Sequence, residues 1–329
     1  MIEQIKAVLG QLGIETYRIT ESVQESLECF FVRKKLDLKR RTDLTDYAVV
    51  VFCPHDHDGT RMLGSSSVNI HPGMGDEELG ETLRRAYQAA ALVNNEYYEL
   101  NAGTAEAFVP AKSRFAGQSL EESMRQVVEA LYASDTSDKV FINSAEVFTK
   151  RIVRRIVNSR GVDVSYETCL VSGEYVVQCI EPRDVETYHQ FSYHDADLDA
   201  LRWDVTTAYA RTNARAKAEK PPVAGTYTIL LSEENLQELM QFYCMRSDTG
   251  IVYQKYSNYQ IGDAVQGETV QGDALTIHMK AREPYSEEGI LMKDRVLMEN
   301  GTLKMLHGSC RTSYYLGVEP TGEYQCICV

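Results

Sequence analysis

The chain has 329 residues, of which 34 are Lys or Arg and 48 are Asp or Glu, giving a formal net charge of -14 at pH 7. This length predicts two or three domains with ample chain to bury a core, and the negative charge argues against direct contact with nucleic acid or anionic lipid. No stretch approaches the roughly 18 consecutive apolar residues that a transmembrane helix needs. The sequence therefore predicts a soluble globular protein with no direct nucleic-acid or membrane partner.

The N-terminal segment, MIEQIKAVLGQLGIE, has charged or polar residues every few positions. It therefore lacks the apolar core of a signal peptide and predicts an amphipathic helix in a cytoplasmic protein. Eight cysteines are too few over this length for a disulfide scaffold, so we expect them to be reduced and mainly structural. They are Cys29, Cys53, Cys169, Cys179, Cys244, Cys310, Cys326 and Cys328.

Residues 1–118 are predicted to form an N-terminal α/β two-layer domain. Four segments after the first helix have the composition of strands: Glu28 to Val32, Leu36 to Leu38, Tyr47 to Phe52 and Thr60 to Ile70. The dipeptide Asp58-Gly59 predicts a hairpin turn, because glycine accepts the positive φ that such a turn requires. A helix is expected over GDEELGETLRRAYQAAALVNN, where apolar residues recur at helical spacing. Residues 101–118 lack periodicity and predict a linker.

Residues 119–222 are predicted to form a middle region of antiparallel sheet and helix. Ser119 and Glu122 have the spacing of a capping box at the start of a helix. The strands expected after it are Val140 to Ile142, Val147 to Val157, Val162 to Thr168 and Tyr175 to Ile180. The turn 158–161 makes the middle two a hairpin, and a helix is predicted over 197–218 before two prolines.

Residues 223–329 are predicted to form a β-rich C-terminal domain. A strand is expected over TYTILL (226–231), followed by a helix capped by Ser232. The later strands are predicted at Leu275 to Met279, Ile290 to Met298 and Thr302 to Leu306, the last two joined by a turn at 299–301. Helices and strands occur in blocks rather than as βαβ units, which favours the α+β class over a doubly wound sheet.

Two clusters contain residue types that bind metals. The first is Cys53-Pro54-His55-Asp56-His57-Asp58, which has zinc ligand types. It coincides with the predicted hairpin turn, where polar side chains are common, so we interpret it as a solvated turn.

The second cluster combines four soft or borderline zinc ligands near the C terminus: His307, Cys310, Cys326 and Cys328. Two cysteines separated by one residue on a strand point to opposite faces, so we interpret these thiols as unpaired residues in or near a sheet. Lys150, Arg151, Arg154 and Arg155 form a basic cluster that we interpret as a solvated strand face. The chain has no phosphate-binding loop, nucleophile elbow, dinucleotide fingerprint or His-Glu-x-x-His motif.

Taken in order, a series of segments resembles the TldD/PmbA family, whose members are historically labelled modulators of DNA gyrase and are regarded as metallopeptidases. The segments follow the family's order and spacing, and the resemblance rests on the series rather than on any one of them. They are GSSSVNI (64–70) with the helix after it, VFINS (140–144), VNSRGVDVS (157–165), DVETYHQFS (184–192), AGTYTILLSEENLQELMQFY (224–243), NYQIGDAVQGETV (258–270), EEGILMKDRVLMENGTLKMLHGS (287–309) and LGVEPTG (316–322).

The resemblance implies dimers in which a TldD-type subunit holds zinc on a His-Glu-x-x-x-His helix and a PmbA-type, or TldE, subunit does not. In this chain Gln237 and Phe242 stand at the two imidazole positions, with Glu238 between them. An amide is a poor zinc donor and a phenyl ring is none, so Glu238 alone cannot hold the ion or activate a water. We expect no catalytic residue, metal or cofactor in this chain, and zinc in a TldD-type partner.

Family members usually continue past the position of Val329 through a further glycine-rich, sheet-forming region. The resemblance therefore implies a C-terminal domain that is cut short, or a last strand, CICV, that pairs within a dimer.

The function implied is that of a non-catalytic PmbA/TldE-type subunit, a pseudoenzyme, in a cytoplasmic TldD/TldE-like metalloprotease complex that acts on unfolded peptides. Its partner would be a TldD-type subunit or a second copy of the chain. One alternative is an active metallopeptidase whose metal is held by some of His55, His57, His278, His307 and the late cysteines. The other is a non-enzymatic regulatory binding protein.

Overall fold

A computed structural model describes residues 1–103, 106–194, 197–231, 233–267, 269, 272–324 and 326–328 of the chain. Within these residues, helices pack on two sheets whose neighbouring strands are all antiparallel. This arrangement confirms the predicted α+β class.

The larger sheet has six strands in the order β3-β2-β1-β4-β5-β6. The strands are β1 (Thr16–Val32), β2 (Lys35–His57), β3 (Thr60–Ile70), β4 (Val140–Asn158), β5 (Asp163–Cys179) and β6 (Val185–Tyr193). Most are longer than predicted, because the apolar runs that we recognised continue into polar stretches that pair with their neighbours along nearly their whole length. Since β1 pairs with β4, the sheet crosses the predicted boundary at 118/119. The division into three domains stays a prediction.

Three predicted turns are confirmed, two between strands of the large sheet and one in the C-terminal part of the chain. Asp58 and Gly59 have φ values of 49° and 76°, as the two-residue turn between β2 and β3 requires. Gly161, with φ of 91°, closes the turn between β4 and β5. Asn300 and Gly301, with φ values of 48° and 75°, form the later turn in the same way. At each turn a local backbone requirement, visible in the sequence, sets the strand register.

Four helices cover one face of the large sheet. Helices α1 (Ile2–Gln11) and α2 (Asp76–Ala90) pack at one end, and α3 (Leu120–Leu131) and α4 (Leu198–Lys217) at the other. Alternate strand residues such as Ile19, Leu27 and Val147 are buried under them. Because successive side chains of a strand point to opposite faces, the remaining residues form a second face without these helices.

The capping box predicted at α3 is half correct. The Ser119 hydroxyl accepts a hydrogen bond from the Glu122 backbone N–H at 3.2 Å, so the cap itself is confirmed. The Glu122 carboxylate does not return the bond: it accepts from Arg125 at 2.7 Å and from Gln126 at 2.8 Å. Those hydrogen bonds lower the pKa of Glu122 to about 2, because they favour its charged form.

The C-terminal part of the chain forms a second, smaller unit. Its elements are α5 (Glu233–Arg246), α6 (Thr249–Tyr253), β7 (Ile277–Lys280), β8 (Arg295–Glu299), β9 (Thr302–Leu303), α7 (Cys310–Leu316) and β10 (Cys326–Cys328), and its sheet has the order β10-β7-β8-β9. Strand β10 pairs with β7 of the same chain, so this pairing does not require a dimer. Its strands are shorter than predicted, because loops replace the ends of the apolar runs.

The strand predicted over 226–231 is wrong. These residues form neither helix nor strand, and no strand in the described ranges pairs with them; Leu230 is 92% exposed. The predicted N-cap of the next helix, Ser232, lies outside the described residues.

The C-terminal unit packs on the second face of the large sheet through residues 283–290. Glu283 Oε2 accepts hydrogen bonds from Tyr166 Oη at 2.7 Å and from Arg154 Nη1 at 3.1 Å. A Cβ at Gly289 would lie 2.5 Å from Val162 Cγ1, so the backbone passes directly over the β4–β5 turn. These contacts cover one end of the second face and leave the other end open.

Among the cysteines whose side chains the structure describes, all are free, and all except Cys328 are buried. None of the helices in the described part of the chain is both long and apolar enough to span a bilayer.

We predict that Gly64→Ala destabilises the protein by about 1–3 kcal/mol, the range seen for overpacked cores. A Cβ at Gly64 would lie 1.9 Å from the carbonyl oxygen of Ala90 and 2.4 Å from that of Val93, backbone atoms that cannot move aside easily. The control is Gly80→Ala within α2, whose Cβ would meet only Val8 Cγ1 at 3.7 Å and which should gain about 0.5–1 kcal/mol. Thermal unfolding of both variants tests this, and equal Tm values would contradict it.

Candidate functional site

A groove of about 1020 Å³ lies between the open end of the second sheet face and helix α5. The sheet side and the helix side meet here because the C-terminal unit is held over strands β4 to β6. The strands contribute Phe148, Ser172, Gly173, Glu174, Gln190, Phe191 and Ser192; the helix contributes Gln237, Glu238, Gln241, Phe242 and Met245; and Arg282 follows β7.

The two faces of helix α5 make different contacts. Met240 and Cys244, four residues apart, are buried against the small sheet. The opposite face carries Phe242 and Met245 into the groove, where their side chains remain 49% and 50% exposed. Apolar side chains left half-exposed in a concave site are a typical surface for a ligand.

The floor of the groove consists of cross-strand pairs. Phe148 of β4 lies opposite Ser172 of β5, which lies opposite Ser192 of β6. Two residues further along, Glu174 lies opposite Gln190 on one side and, on the other, opposite Glu146, which lies just outside the groove. Only a glycine fits between these rows at 173. A Cβ there would lie 2.3 Å from the Glu146 carbonyl oxygen and 2.8 Å from the ring of Phe191.

One end of the groove is acidic. Burial raises the pKa of Glu146, and the neighbouring charges of Glu174 and Glu28 raise it further. Glu28 is neutralised by Arg40, whose Nε lies 2.7 Å from Glu28 Oε2. Glu174 accepts a 2.6 Å hydrogen bond from the hydroxyl of Tyr188.

The other end of the groove is basic. Arg282 is exposed and lines the groove. Burial lowers the pKa of His194, and the nearby charge of Arg282 lowers it further, which places the two side chains at the same end. The groove therefore has the acidic Glu174 at one end and the basic Arg282 at the other, and its remaining lining mixes aromatic rings with amides, hydroxyls and the Glu238 carboxylate.

Gln237, Glu238 and Phe242, which stand at the positions of the His-Glu-x-x-x-His motif, all line this groove. Together they do not provide the ligands that zinc requires. Their only anionic donor is the Glu238 carboxylate, and zinc in proteins takes three or four Cys, His or carboxylate ligands. In the described ranges, no three His, Cys, Asp or Glu side chains are placed together so that they could hold a metal ion.

The turn cluster around His55 is part of a hydrogen-bonded loop. His55 Nδ1 lies 3.1 Å from the Cys53 carbonyl oxygen, and Nε2 lies 2.9 Å from Asn94 Oδ1. The bond to Asn94 raises the pKa of His55, as does the bond to Cys53. His57 lies only against Asp58, at 3.5 Å, and both side chains are largely exposed. This geometry agrees with the interpretation as a solvated turn.

The residues of the C-terminal cluster are separated. Buried His307 donates from Nε2 to the carbonyl oxygen of Cys244 at 2.9 Å. Cys310 contacts a different part of the chain: its backbone N–H donates a hydrogen bond to Glu288 Oε2 at 2.7 Å. Cys328 lies opposite His278 in the small sheet, and the side chain of Cys326 is outside the described structure. His307, Cys310 and Cys328 therefore have different contacts in the C-terminal unit.

The basic cluster on β4 is more than a solvated face. Arg151 pairs with Glu167, Arg155 with Asp163 and Arg154 with Glu283. The first two pairs join β4 to β5, and the third holds the C-terminal unit. Sequence alternation could not identify these acidic partners, because they lie 8 to 129 positions away along the chain.

Sequence reasoning missed the strand side of the groove: Phe148, Ser172, Glu174, Gln190, Ser192 and Arg282. The only signal was that alternate residues of β4 to β6 are polar or exposed where the opposite set is buried. That pattern shows an open face but cannot say what lies over it.

Comparison with known proteins finds a domain family that matches about a third of the chain and solved structures that share the fold. The sequence profile of the PmbA/TldA metallopeptidase C-terminal domain matches residues 224–325. No curated protein matches the chain.

Three solved structures share the fold. A proposed modulator of a DNA gyrase from Thermotoga maritima has a TM-score of 0.70 at 17% identity, covering 98% of this chain and 74% of its own. TldE from Thermococcus kodakarensis has a TM-score of 0.68 at 14% identity, with coverage of 97% and 73%. A proposed modulator of DNA gyrase from Bacteroides thetaiotaomicron has 0.70 at 12% identity, with 99% and 76%. These structures show a shared fold, and the match over residues 224–325 supports the resemblance to the TldD/PmbA family.

We predict that His307→Gln makes stability less dependent on pH. Burial lowers the pKa of His307 from its ordinary value of 6.5, so only the unfolded chain readily protonates it. Its contribution to stability is present above about pH 6.5 and is lost as the pH falls, by up to about 1.4 kcal/mol per pH unit. Gln retains an N–H donor but cannot take up the proton.

Chemical denaturation at pH 7.5 and 5.5 measures this difference. The variant should lose less stability than the parent chain, with a remaining loss from His194, whose pKa is also lowered. His57→Gln, at an exposed turn, is the control and should follow the parent. Equal losses in the parent and in His307→Gln would contradict the prediction.

Proposed function

We propose that this chain, as a relative of the TldD/PmbA family, is a non-catalytic PmbA/TldE-type subunit of a TldD/TldE-like metallopeptidase complex. Its role is to bind unfolded peptides in extended form. The observation that carries this proposal is the position of Gln237, Glu238 and Phe242: the residues that replace a zinc motif line the groove. They offer contacts to a peptide and lack the donors for zinc.

The groove has the chemistry to bind peptides of varied sequence. Phe148 and Phe242 present apolar surface, and the amides of Gln190 and Gln241 also line the groove. Within the described part of the chain, the buried Oε1 of Gln241 has no hydrogen-bond partner. A buried acceptor without a partner is unfavourable, and a turn of the Gln241 side chain toward the groove would let a backbone N–H of an extended peptide satisfy it.

Hydrolysis is assigned to the partner. A lone carboxylate such as Glu238 does not lower the pKa of a water enough to make it a nucleophile at neutral pH, whereas bound zinc does. In the proposed complex the zinc belongs to the TldD-type subunit, and this chain supplies binding surface. We propose that the complex is cytoplasmic.

Two surfaces support association with another subunit, either of TldD type or a second copy. Residues 35–46 of β2 pair with β1 on one side, while β3 covers only residues 47–57 on the other. The segment 223–231 exposes Val223, Ile229 and Leu230 by 74% or more. Open strand edges and clustered apolar side chains are features that subunit interfaces cover.

We predict that Phe242→Asp and Met245→Asp each weaken the binding of an unfolded peptide at least tenfold. Each removes an apolar contact worth about 1.5–3 kcal/mol, and about 1.4 kcal/mol corresponds to tenfold in Kd. Leu239→Asp is the matched control: Leu239 lies on the same helix and is 51% exposed, but it does not line the groove. Fluorescence anisotropy with a labelled unfolded peptide measures all three, and an equal loss in Leu239→Asp would contradict the assignment.

We predict that the chain alone neither cleaves peptides nor retains zinc, and that adding a TldD-type subunit gives a stable complex with peptidase activity and one zinc site in the partner. Size-exclusion chromatography, elemental analysis and a peptide cleavage assay measure these outcomes. Cleavage by the chain alone, lost on chelation, would instead support an independent metallopeptidase. Failure to associate or to alter cleavage would contradict the subunit role.

A further inference from the structure

We infer that the groove binds a short peptide in one direction, with its free α-ammonium group at Glu174 and its free α-carboxylate at Arg282. This inference rests on the proposed peptide-binding function of the same groove and adds the chemical groups that it selects. It is carried by the opposite charges at the two ends of the groove and by the distance between them.

The acidic end of the groove carries negative charge that no described cation neutralises. Glu146 and Glu174 lie directly opposite each other on β4 and β5, an arrangement that destabilises a sheet when both are charged. Among the described residues neither carboxylate forms an ion pair, whereas Glu28 is neutralised by Arg40. The hydroxyl of Tyr188 contributes one hydrogen bond to Glu174 and no charge. A bound ammonium group would relieve the repulsion and form charge-assisted hydrogen bonds.

The position of the basic end follows from the contact of Glu283 with the large sheet. Glu283 is fixed on Arg154 and Tyr166, which are themselves opposite each other and lie eight residues along β4 and β5 from Glu146 and Glu174. Its neighbour Arg282 therefore enters the groove from the end opposite the acidic pair.

Arg282 is free to bind an anion. The neighbouring carboxylate, Glu283, forms its ion pair with Arg154. Arg282 itself forms no ion pair within the ranges that the structure describes. A guanidinium group binds a carboxylate through two parallel N–H···O bonds, so a terminal carboxylate fits this side chain in geometry as well as in charge.

The spacing suits a peptide of about four residues. Gln190, opposite Glu174, and Tyr193, the last residue of β6, are three residues apart, which corresponds to about 10 Å along a strand. His194, beside Arg282, follows directly. An extended tetrapeptide spans a similar length. Between its ends, Phe148 and Phe242 would contact the central side chains.

The test uses the tetrapeptide Ala-Phe-Leu-Ala in four forms: free, N-acetylated, C-amidated and capped at both ends. Isothermal titration calorimetry with the full chain measures the Kd of each. Because a hydrogen bond to a charged group contributes more than a neutral one, each cap should weaken binding about tenfold, and the two effects should multiply in the doubly capped form.

Two variants assign each cap to its end of the groove. In Arg282→Gln the effect of amidation should disappear while the effect of acetylation remains. Glu174→Gln should show the reverse. Arg84→Gln, on the exposed side of α2, is the control and should keep both effects.

Other outcomes overturn the inference in distinguishable ways. If all four forms bind equally, and Phe242→Asp still weakens them, the selection of termini is wrong but the groove remains a peptide site. If the effects of the two caps are exchanged between the variants, the direction is wrong. If a doubly capped peptide with Lys and Glu side chains binds as tightly as the free form, side chains rather than termini are selected. If no form binds, the proposed function itself fails.

Discussion

The contact of Glu283 with Arg154 and Tyr166 joins the C-terminal unit to the large sheet beside the groove, and a second apolar cluster, with Ile290 and Cys310 packed on Phe52, joins them elsewhere. The ion pair is only partly buried, so its net contribution to stability is small, but its hydrogen bonds fix an orientation. The energy comes from the apolar cluster around it, in which Ile156, Val162, Val164, Tyr166 and Tyr285 are buried together. Close approach of the backbone at Gly289 allows this packing.

This contact gives the two faces of the large sheet different roles. One face is buried under α1 to α4 and supplies the stability of the fold. The other is covered only at one end, so the even-numbered residues of β4 to β6, such as Phe148 and Ser172, remain available at the open end. Long antiparallel strands suit this division, because alternation assigns each face its own residues without any change of backbone.

Helix α5 repeats the same division on a smaller scale. Met240 and Cys244 anchor it on the small sheet, while Gln237, Glu238 and Phe242 face the groove. A helix rigidly held in this way could position catalytic ligands, but these side chains offer one carboxylate, one amide and one ring. The site therefore has binding chemistry, and its charges, Glu174 at one end and Arg282 at the other, give the groove a direction.

The sequence by itself determined what depends on neighbouring residues. The turns at Asp58-Gly59 and at Gly161, the Ser119 cap and the helix with Gln237, Glu238 and Phe242 were all predicted, because backbone preference and helical spacing act over a few positions. The sequence wrongly predicted a strand over 226–231, because the apolar residues there favour a strand but no described strand pairs with them. Only the tertiary structure decided that Glu174 and Arg282 line one groove. Residues more than 100 positions apart are brought together by strand pairing and by the packing of one unit on another, which no local pattern encodes.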